Sequence, residues 1–385
     1  MKTRQVAVLD FGSSRLSAIC GERGVNGTFK IRGLQERPYE GFYEGEFLDP
    51  EELEQTVISL LSDLKADSEG NIERIYVGVP GEFVTVVLKE KTLSYEKKKK
   101  IGRREIEELY DAGLRLKGDR WNVISRSAVY FALDDNRRIV NPAGLYSTKL
   151  GGYLSYSLAD ASFERLVRPI IGKAGIDDVV FCSSALAEAM FLFPPEKRDR
   201  FALLLDVGHL TSTLSIIRGD GILYQKSFSF GGGVITADLS YYLGTSYEVA
   251  DALKRKINIS KDGGAACYEV QQSDDILTFG AEKCHDIVKN DLDNLCETVE
   301  ECLAKCEVRF PEYATLYVTG GGIIYMRGCK EYVAKRINRV VEGIAPDLPT
   351  DNQPTDSSKF GLLNYALMKE ETENVGFFAK LFGRR

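Results

Sequence analysis

Two aspartates head the stretches best suited to chemistry. Asp10 stands in "VAVLDFGSSRLSAICGERG" (6–24) and Asp206 in "ALLLDVGHLTSTLSIIRGDG" (202–221). Each stretch is an apolar strand, an Asp-x-Gly, a turn and a second strand ending at glycine. "LSAI" and "LSII" open the two second strands. Asp-x-Gly is a frequent hairpin turn, but the same order of parts recurs in each half, which points to two similar lobes facing across a cleft. Successive backbone N–H groups in a glycine-containing turn make a concave anion site without any cationic side chain. "DFGSS" and "DVGHLTS" can hold phosphate oxygens in this way, with hydroxyls from Ser13, Ser14, Thr211 and Ser212 and with Arg15 beside the first turn. Two carboxylates across a polyphosphate repel it unless a divalent cation lies between. Asp10 and Asp206 therefore read as anchors for Mg²⁺, through its waters, since Mg²⁺ dehydrates reluctantly. "TGGG" at 319–322 follows a strand and gives a third close-approach turn, made by Gly320, Gly321 and Gly322 and suited to an adenosine or ribose edge.

The elements that must position these turns follow an α/β rhythm. A chain of 385 residues is long enough for two cores. "DPEELEQTVISLLSDLKA" reads as a helix capped by Asp49 with Pro50 at its first position, and "RIYVGVP" as the strand after it. A segment of different character, 86–162, reads as an inserted α+β subdomain, because the rhythm resumes only at "ASFERLVRPIIGKAGI". The first lobe is then 1–85 with 163–198, and the second lobe 199–368. Helices at roughly 234–258 and 280–307 fall in the latter, whose outer part is 236–304. Lys97–Lys100 is a solvated turn or a partner-binding patch.

Composition excludes several classes. The net charge of −7 gives no electrostatic footprint for nucleic acid. No apolar run approaches the ~18 residues of a membrane span, and the N-terminus runs straight into a strand without a signal-peptide pattern, so a cytoplasmic protein is expected. The eight cysteines need no disulfides in that compartment. Val288, Leu292, Leu295, Val299, Cys302 and Cys306 step by 4 and 3, the buried stripe of a helix rather than a metal site.

The order "LDFGSS", "LDVGHLTS", "VTGGG" resembles the phosphate and adenosine motifs of the actin–Hsp70–sugar-kinase superfamily, and within it the chain is similar to the FtsA family of bacterial cell-division proteins over most of its length. "GFYEGEFLDPEEL", "NPAGLYSTKLGGYL", "FGGGVITADLSYYLGTSYEVADALKRK" and "FGLLNYAL" carry that similarity. It implies a two-lobed actin-like ATPase fold of duplicated RNase H-like domains, with a subdomain inserted in the first lobe. It also implies ATP–Mg²⁺ held by Asp10, Gly12, Ser13 and Ser14 on one side and Asp206, Gly208 and Thr211 on the other. Gly231, Gly232 and Gly233 would approach the nucleotide from the second lobe. Asp251 and Lys254 would flank the adenine, although on spacing alone they read equally well as a surface ion pair.

Two departures from the family pattern stand out. His209 and Leu210 replace glycines of the second turn, where a Cβ restricts φ and narrows the approach to phosphate; His209 either donates to phosphate or caps the turn. Ser184 stands where relatives carry a glutamate, and Glu188, one turn later, is expected to face elsewhere. ATP binding with slow or no hydrolysis follows, and no catalytic residue is assigned.

After a polar linker at 369–374, "VGFFAKLFGRR" (375–385) wraps into a basic amphipathic helix. Phe377, Phe378, Leu381 and Phe382 share one side, with Lys380, Arg384 and Arg385 supplying positive charge. Such a helix lies in a membrane interface; docking on the protein's own core would show the same stripe. The family ends in a membrane-targeting helix, which implies a peripheral protein on the cytoplasmic face of the cell membrane. Assembly into filaments at septum formation and a contact with the C-terminal peptide of an FtsZ-like partner are implied as well. The alternatives are a PilM-type pilus protein, which shares the fold, a divergent FtsA paralogue with another partner, and a small-molecule kinase of the superfamily, which would need a catalytic aspartate for which the sequence offers no clear candidate.

Overall fold

The computed structural model describes residues 5–25, 28–68, 71–135, 137–349 and 352–382, with backbone alone over 373–382. Two five-stranded sheets of the same topology form the two lobes. In the first, the order is Asp178–Ser183, Arg74–Val79, Val6–Phe11, Arg15–Arg23, Phe29–Pro38. In the second it is Val341–Gly343, Leu316–Thr319, Ala202–Val207, Ser212–Arg218, Gly221–Phe228. The first three strands of each sheet in chain order are antiparallel and the other two join parallel to the first. The duplication inferred from the two Asp-x-Gly stretches is thus a duplication of whole sheets.

Strand parity aims both aspartates inward. Successive side chains alternate between faces. Ala7, Leu9 and Phe11 enter one core, under the helix Pro50–Asp67, whereas Val6 and Val8, and with them Asp10, face the other side. Leu203, Leu205 and Val207 enter the second-lobe core, whereas Ala202, Leu204 and Asp206 face the first lobe. The echo in the sequence is offset from this equivalence. Leu16 pairs with Phe11 and Ser212 with Val207, so "LSAI" and "LSII" lie two residues out of step. An even offset keeps the buried face, which is why the two stretches look aligned when read as letters.

Helix Pro50–Asp67 starts as expected, with Asp49 Oδ1 accepting from the N–H groups of Glu51 at 3.0 Å and Glu52 at 2.9 Å. The inserted subdomain is a sheet ordered Val84–Lys100, Tyr146–Asp160, Trp121–Ala132, Arg138–Ile139, with the helix Arg103–Gly113 packed on its first two strands. In the outer second lobe, the helix expected over 234–258 is two, Gly232–Leu243 and Tyr247–Lys254. Gly244, left-handed at φ +65°, ends the first, and Ser246 caps the second. A hairpin of Cys267–Gln272 and Asp275–Gly280 precedes the helix Ala281–Ala304. Cys284, Cys296 and Cys302 are buried free thiols in that helix, and His285 Nε2 meets the Tyr268 hydroxyl at 2.8 Å.

The C-terminal helix corrects two expectations. It runs unbroken over Ser357–Phe382, through 369–374 where the sequence suggests a linker. "KEETEN" holds no glycine or proline to stop a helix, and Lys and Glu favour one. Its first part also belongs to the first lobe rather than the second. Phe360, Leu362, Leu363, Ala366 and Leu367 pack with Val6, Val8, Ile19 and Tyr76, at roughly 1.5–3 kcal/mol for each large side chain. Glu370 then accepts from Arg74 at 2.9 Å and from the Tyr76 hydroxyl at 3.0 Å. The side chains of Phe377, Phe378, Lys380, Leu381 and Phe382, and all of Arg384 and Arg385, lie outside the described residues. Among the described residues no helix is long and apolar enough to cross a membrane.

Candidate nucleotide cleft

A cleft of about 470 Å³ opens between the lobes where the two hairpins meet. Asp10, Gly12, Ser13, Ser14 and Arg15 line it from the first lobe. Asp206, Gly208, His209, Thr211, Gly232 and Lys254 line it from the second, joined by Gly320, Gly321 and Gly322. Gly231 and Gly233 sit behind the wall instead: the Gly233 N–H donates to His209 O at 2.8 Å, and a Cβ on Gly231 would strike the same carbonyl.

The glycines act by permitting close approach more than by offering amides. Gly12 N–H is taken by Arg15 O (2.9 Å), Gly208 N–H by Thr211 O (3.0 Å), Gly232 N–H by Gly208 O (2.9 Å) and Gly322 N–H by Val207 O (2.8 Å). A Cβ on Gly232 would lie 2.5 Å from Gly322 O, and one on Gly321 2.6 Å from the side chain of Thr355. Gly320 is left-handed at φ +81°, and a Cβ there would meet Asp206 Oδ1. Three backbone segments thus stack directly behind the second turn. This revises the picture of glycine amides fanned toward phosphate: most of those named are spent on holding the turns.

His209 and Leu210 cause none of the strain expected of them, because neither is among the described non-glycine residues with positive φ. His209 meets the Tyr247 hydroxyl through Nε2 at 3.2 Å, and Leu210 donates its N–H to Ser13 Oγ at 3.0 Å. That second bond ties one lobe's turn to the other's. Burial, then the nearby Lys254 ammonium, lowers the His209 pKa and so favours the neutral ring.

Three carboxyls face one another at the cleft floor. Burial pushes Asp10 up to about 6, against the hydroxyl of Ser358, which donates to its Oδ1 at 2.8 Å. Burial and then the charge of Asp10 push Asp206 up to about 6. Glu188, expected to face elsewhere, is instead buried on this floor. Desolvation, then Asp206 and Asp10, raise it well above the ordinary carboxyl range. The helix Ser184–Leu192 carries it in, and Gly361 lets the C-terminal helix approach closely enough that a Cβ there would lie 2.7 Å from the Glu188 Cα. An acid within the otherwise apolar "SALAEAMFL" was the available signal. Ser184 also lines the cleft, and its Oγ is buried without a hydrogen-bond partner.

These residues fit a hydrated cation. Facing carboxyls held under the repulsion of like charge favour a cation between them, and an orphan hydroxyl is suited to a bound water. Among the described residues no three His, Cys, Asp or Glu side chains converge to grip a metal directly; Mg²⁺, which dehydrates reluctantly, would be held through its waters.

Two buried lysines sit on opposite walls. Lys254 Nζ donates to Gly232 O and Thr236 Oγ1, both at 2.8 Å, and meets Asp251 Oδ1 at 3.4 Å. Asp251 itself turns to Lys254 and Arg255 rather than into the cleft, so of the expected adenine-flanking pair only the lysine reaches the wall. Lys359, missed in the sequence although it is a charge in the apolar "KFGLLNYAL", bonds Glu36 Oε1 at 2.8 Å and Asp356 Oδ1 at 2.7 Å. Ser357 Oγ meets Thr319 Oγ1 at 2.8 Å, so the start of the C-terminal helix touches both lobes.

Comparisons with known proteins agree with this geometry. The family model "Cell division protein FtsA" matches residues 203–355. The FtsA of Escherichia coli strain K12 is 20% identical over 252 residues, covering 65% of this chain and 59% of that protein, so the chain spans less than two thirds of that relative. The FtsA of Pseudomonas aeruginosa is 20% identical over 385 residues, covering 95% and 90%. Among solved structures, a PilM–PilN type IV pilus biogenesis complex superposes with a TM-score of 0.63 at 17% identity, covering 95% of this chain and 99% of that one. MreB5 of Spiroplasma citri bound to AMPPNP gives 0.58 at 13%, covering 98% and 100%. The resemblance read from the motifs is borne out: the chain matches the FtsA model over 203–355, is similar at 20% identity to FtsA proteins, and has the actin-like fold of PilM and MreB5.

Proposed function

We propose that the cleft binds ATP with Mg²⁺ and that the chain acts as an FtsA-like adaptor, assembling into filaments that tether a division partner to the cytoplasmic face of the membrane. The observation that carries the reading is the pair of equivalent hairpins, each aiming an aspartate at one cleft floored by glycine turns. Mg²⁺ would sit between Asp10 and Asp206 and neutralise the phosphates. Ser13, Ser14 and Thr211 would supply hydroxyls, and Lys254 would border the base. Hydrolysis would be slow or absent, since position 184 offers a hydroxyl where a water-orienting acid was expected. The outer second lobe, 236–304, would take the C-terminal peptide of an FtsZ-like protein.

The tail supplies the membrane contact. Burying a Phe or Leu is worth about 1.5–3 kcal/mol and each cation near anionic lipid about 1 kcal/mol, but ordering the segment consumes much of this. One tail is then a weak anchor, and a filament of many gains avidity of roughly 10²–10⁴. Calorimetry with and without Mg²⁺ tests the cleft, and absence of ATP binding would overturn it. Phe378→Glu should abolish pelleting with anionic liposomes while ATP still binds; unchanged pelleting would remove the tail as anchor.

The superposition on PilM favours a second reading, a pilus-assembly adaptor that docks on a membrane protein's peptide. Capture of an FtsZ C-terminal peptide together with tail-dependent liposome binding would exclude it.

A further inference from the structure

We infer that Glu188, with Ser184, completes the cation site: Glu188 is the third acid holding the water shell of a divalent cation at the cleft floor. This rests on the nucleotide reading above and assigns residues which that reading leaves without a role.

The helix Ser184–Leu192 places the two side chains one turn apart, where i and i+4 share a face. Both line the cleft together with Asp10 and Asp206. Asp10 is 6% exposed, Glu188 3% and Ser184 9%. The Ser184 Oγ has no hydrogen-bond partner, although buried hydroxyls nearly always find one. A Cβ built on Gly78 would lie 2.5 Å from Ser184 Oγ, 3.1 Å from Leu362 Cδ2 and 3.2 Å from Asp10 Oδ1, so the hydroxyl and the carboxylate both lie close to one strand position, beside an apolar side chain.

The arrangement suits a small, strongly hydrated ion. Carboxylates around a hydrated ion can each accept from its waters, and the serine hydroxyl can take one more such contact. The acid then comes from a helix that also packs on the C-terminal helix, so the ion would reach elements beyond the two hairpins. A purely structural Glu188 would instead be a neutral acid filling the gap between helices, and its amide would serve as well.

The test uses the full chain and Mn²⁺ as a probe for Mg²⁺, followed by electron paramagnetic resonance without nucleotide. ATP affinity is measured in parallel, in Mg²⁺ and in EDTA. Glu188→Gln keeps shape and hydrogen-bonding capacity, and a thermal melt confirms folding. It should weaken Mn²⁺ binding about tenfold and remove about tenfold of the Mg²⁺-dependent gain in ATP affinity, with affinity in EDTA unchanged or improved. Ser184→Ala should weaken Mn²⁺ by about threefold. Wild-type Mn²⁺ affinity in Glu188→Gln, or no Mn²⁺ bound by the wild type, would overturn the assignment. Mn²⁺ binding that depends on Glu188 in a chain that binds no ATP would support the assignment and defeat the nucleotide reading.

Discussion

The two turns at the cleft have one backbone and two chemistries. Gly12–Arg15 and Gly208–Thr211 are loops of equal length, each closed by a bond from glycine N–H to the carbonyl three residues on. Their parent strands pair in the same register around Asp10 and Asp206. The side chains at equivalent positions differ: Ser13 and Ser14 in the first turn, His209 and Leu210 in the second. The first turn presents hydroxyls, and one of them already accepts the Leu210 N–H across the gap. The second turn presents a ring, an alkyl group and the single hydroxyl of Thr211, and is backed by the stacked glycines 231–233 and 320–322. Duplication therefore preserved the backbone geometry and the two aspartates, while the side chains offered to a ligand became unequal, with Arg15 in the first turn where the second has Thr211.

The equivalence of charge can be broken most visibly through pH. Asp10, Asp206 and Glu188 all have raised pKa values in the folded state. Each aspartate binds its proton more tightly when folded, so its contribution to stability is full below about 4 and is lost as pH climbs through about 6, and Glu188 acts in the same direction. For each aspartate the loss is on the order of 2–3 kcal/mol. Asp10→Asn and Asp206→Asn should each stabilise the nucleotide-free protein at pH 7 and flatten its urea-unfolding profile between pH 4 and 6, by similar amounts. A profile that responds to only one of them would mean that the lobes do not share the burden.

The equivalence of backbone is tested next. A Cβ on Gly12 would lie 2.8 Å from Arg15 O, and one on Gly208 2.8 Å from Thr211 O. Gly12→Ala and Gly208→Ala should each cost about 1–3 kcal/mol, read as matched shifts in urea midpoint. A large difference would show one turn to be slack. The inequality of chemistry predicts a smaller effect. Ser13→Ala leaves the Leu210 amide without its acceptor, at about 1 kcal/mol, and speeds hydrogen exchange at that amide. Ser14→Ala should leave it unchanged.

What the sequence disclosed follows from range. The hairpins, the Asp49 cap and the buried stripe of the helix Ala281–Ala304 depend on neighbours in sequence, so spacing revealed them. The fate of the glycine amides depends on which segments stack, and 208, 231–233 and 320–322 meet only in three dimensions. The placement of Glu188 escapes local pattern for the same reason: a wheel gives its face on the helix, but not that two sheets close on that face. Lys359 and Ser358 reach the cleft because the C-terminal helix crosses back to the first lobe, which no local pattern announces. His209 and Leu210 looked strained only by comparison with glycine, and the φ values remove that inference.

The smallest effect concerns the paired lysines. Lys359 lies between the carboxylates of Glu36 and Asp356, and these bonds outweigh the cost of burial and raise its pKa. Lys254 is held chiefly by neutral oxygens, and burial outweighs Asp251, so its pKa falls. Asp251 divides its charge between Lys254 and the exposed Arg255. Asp251→Asn should therefore cost under about 1 kcal/mol of stability. It should lower the Lys254 pKa further, since the Asp251 carboxylate is what opposes burial there. NMR titration of the Lys254 ammonium would record that drop, with Lys359 unmoved. A Lys254 signal indifferent to Asp251 would show that backbone oxygens alone hold the charge, and the second lobe's cation would then be independent of the helix surface around it.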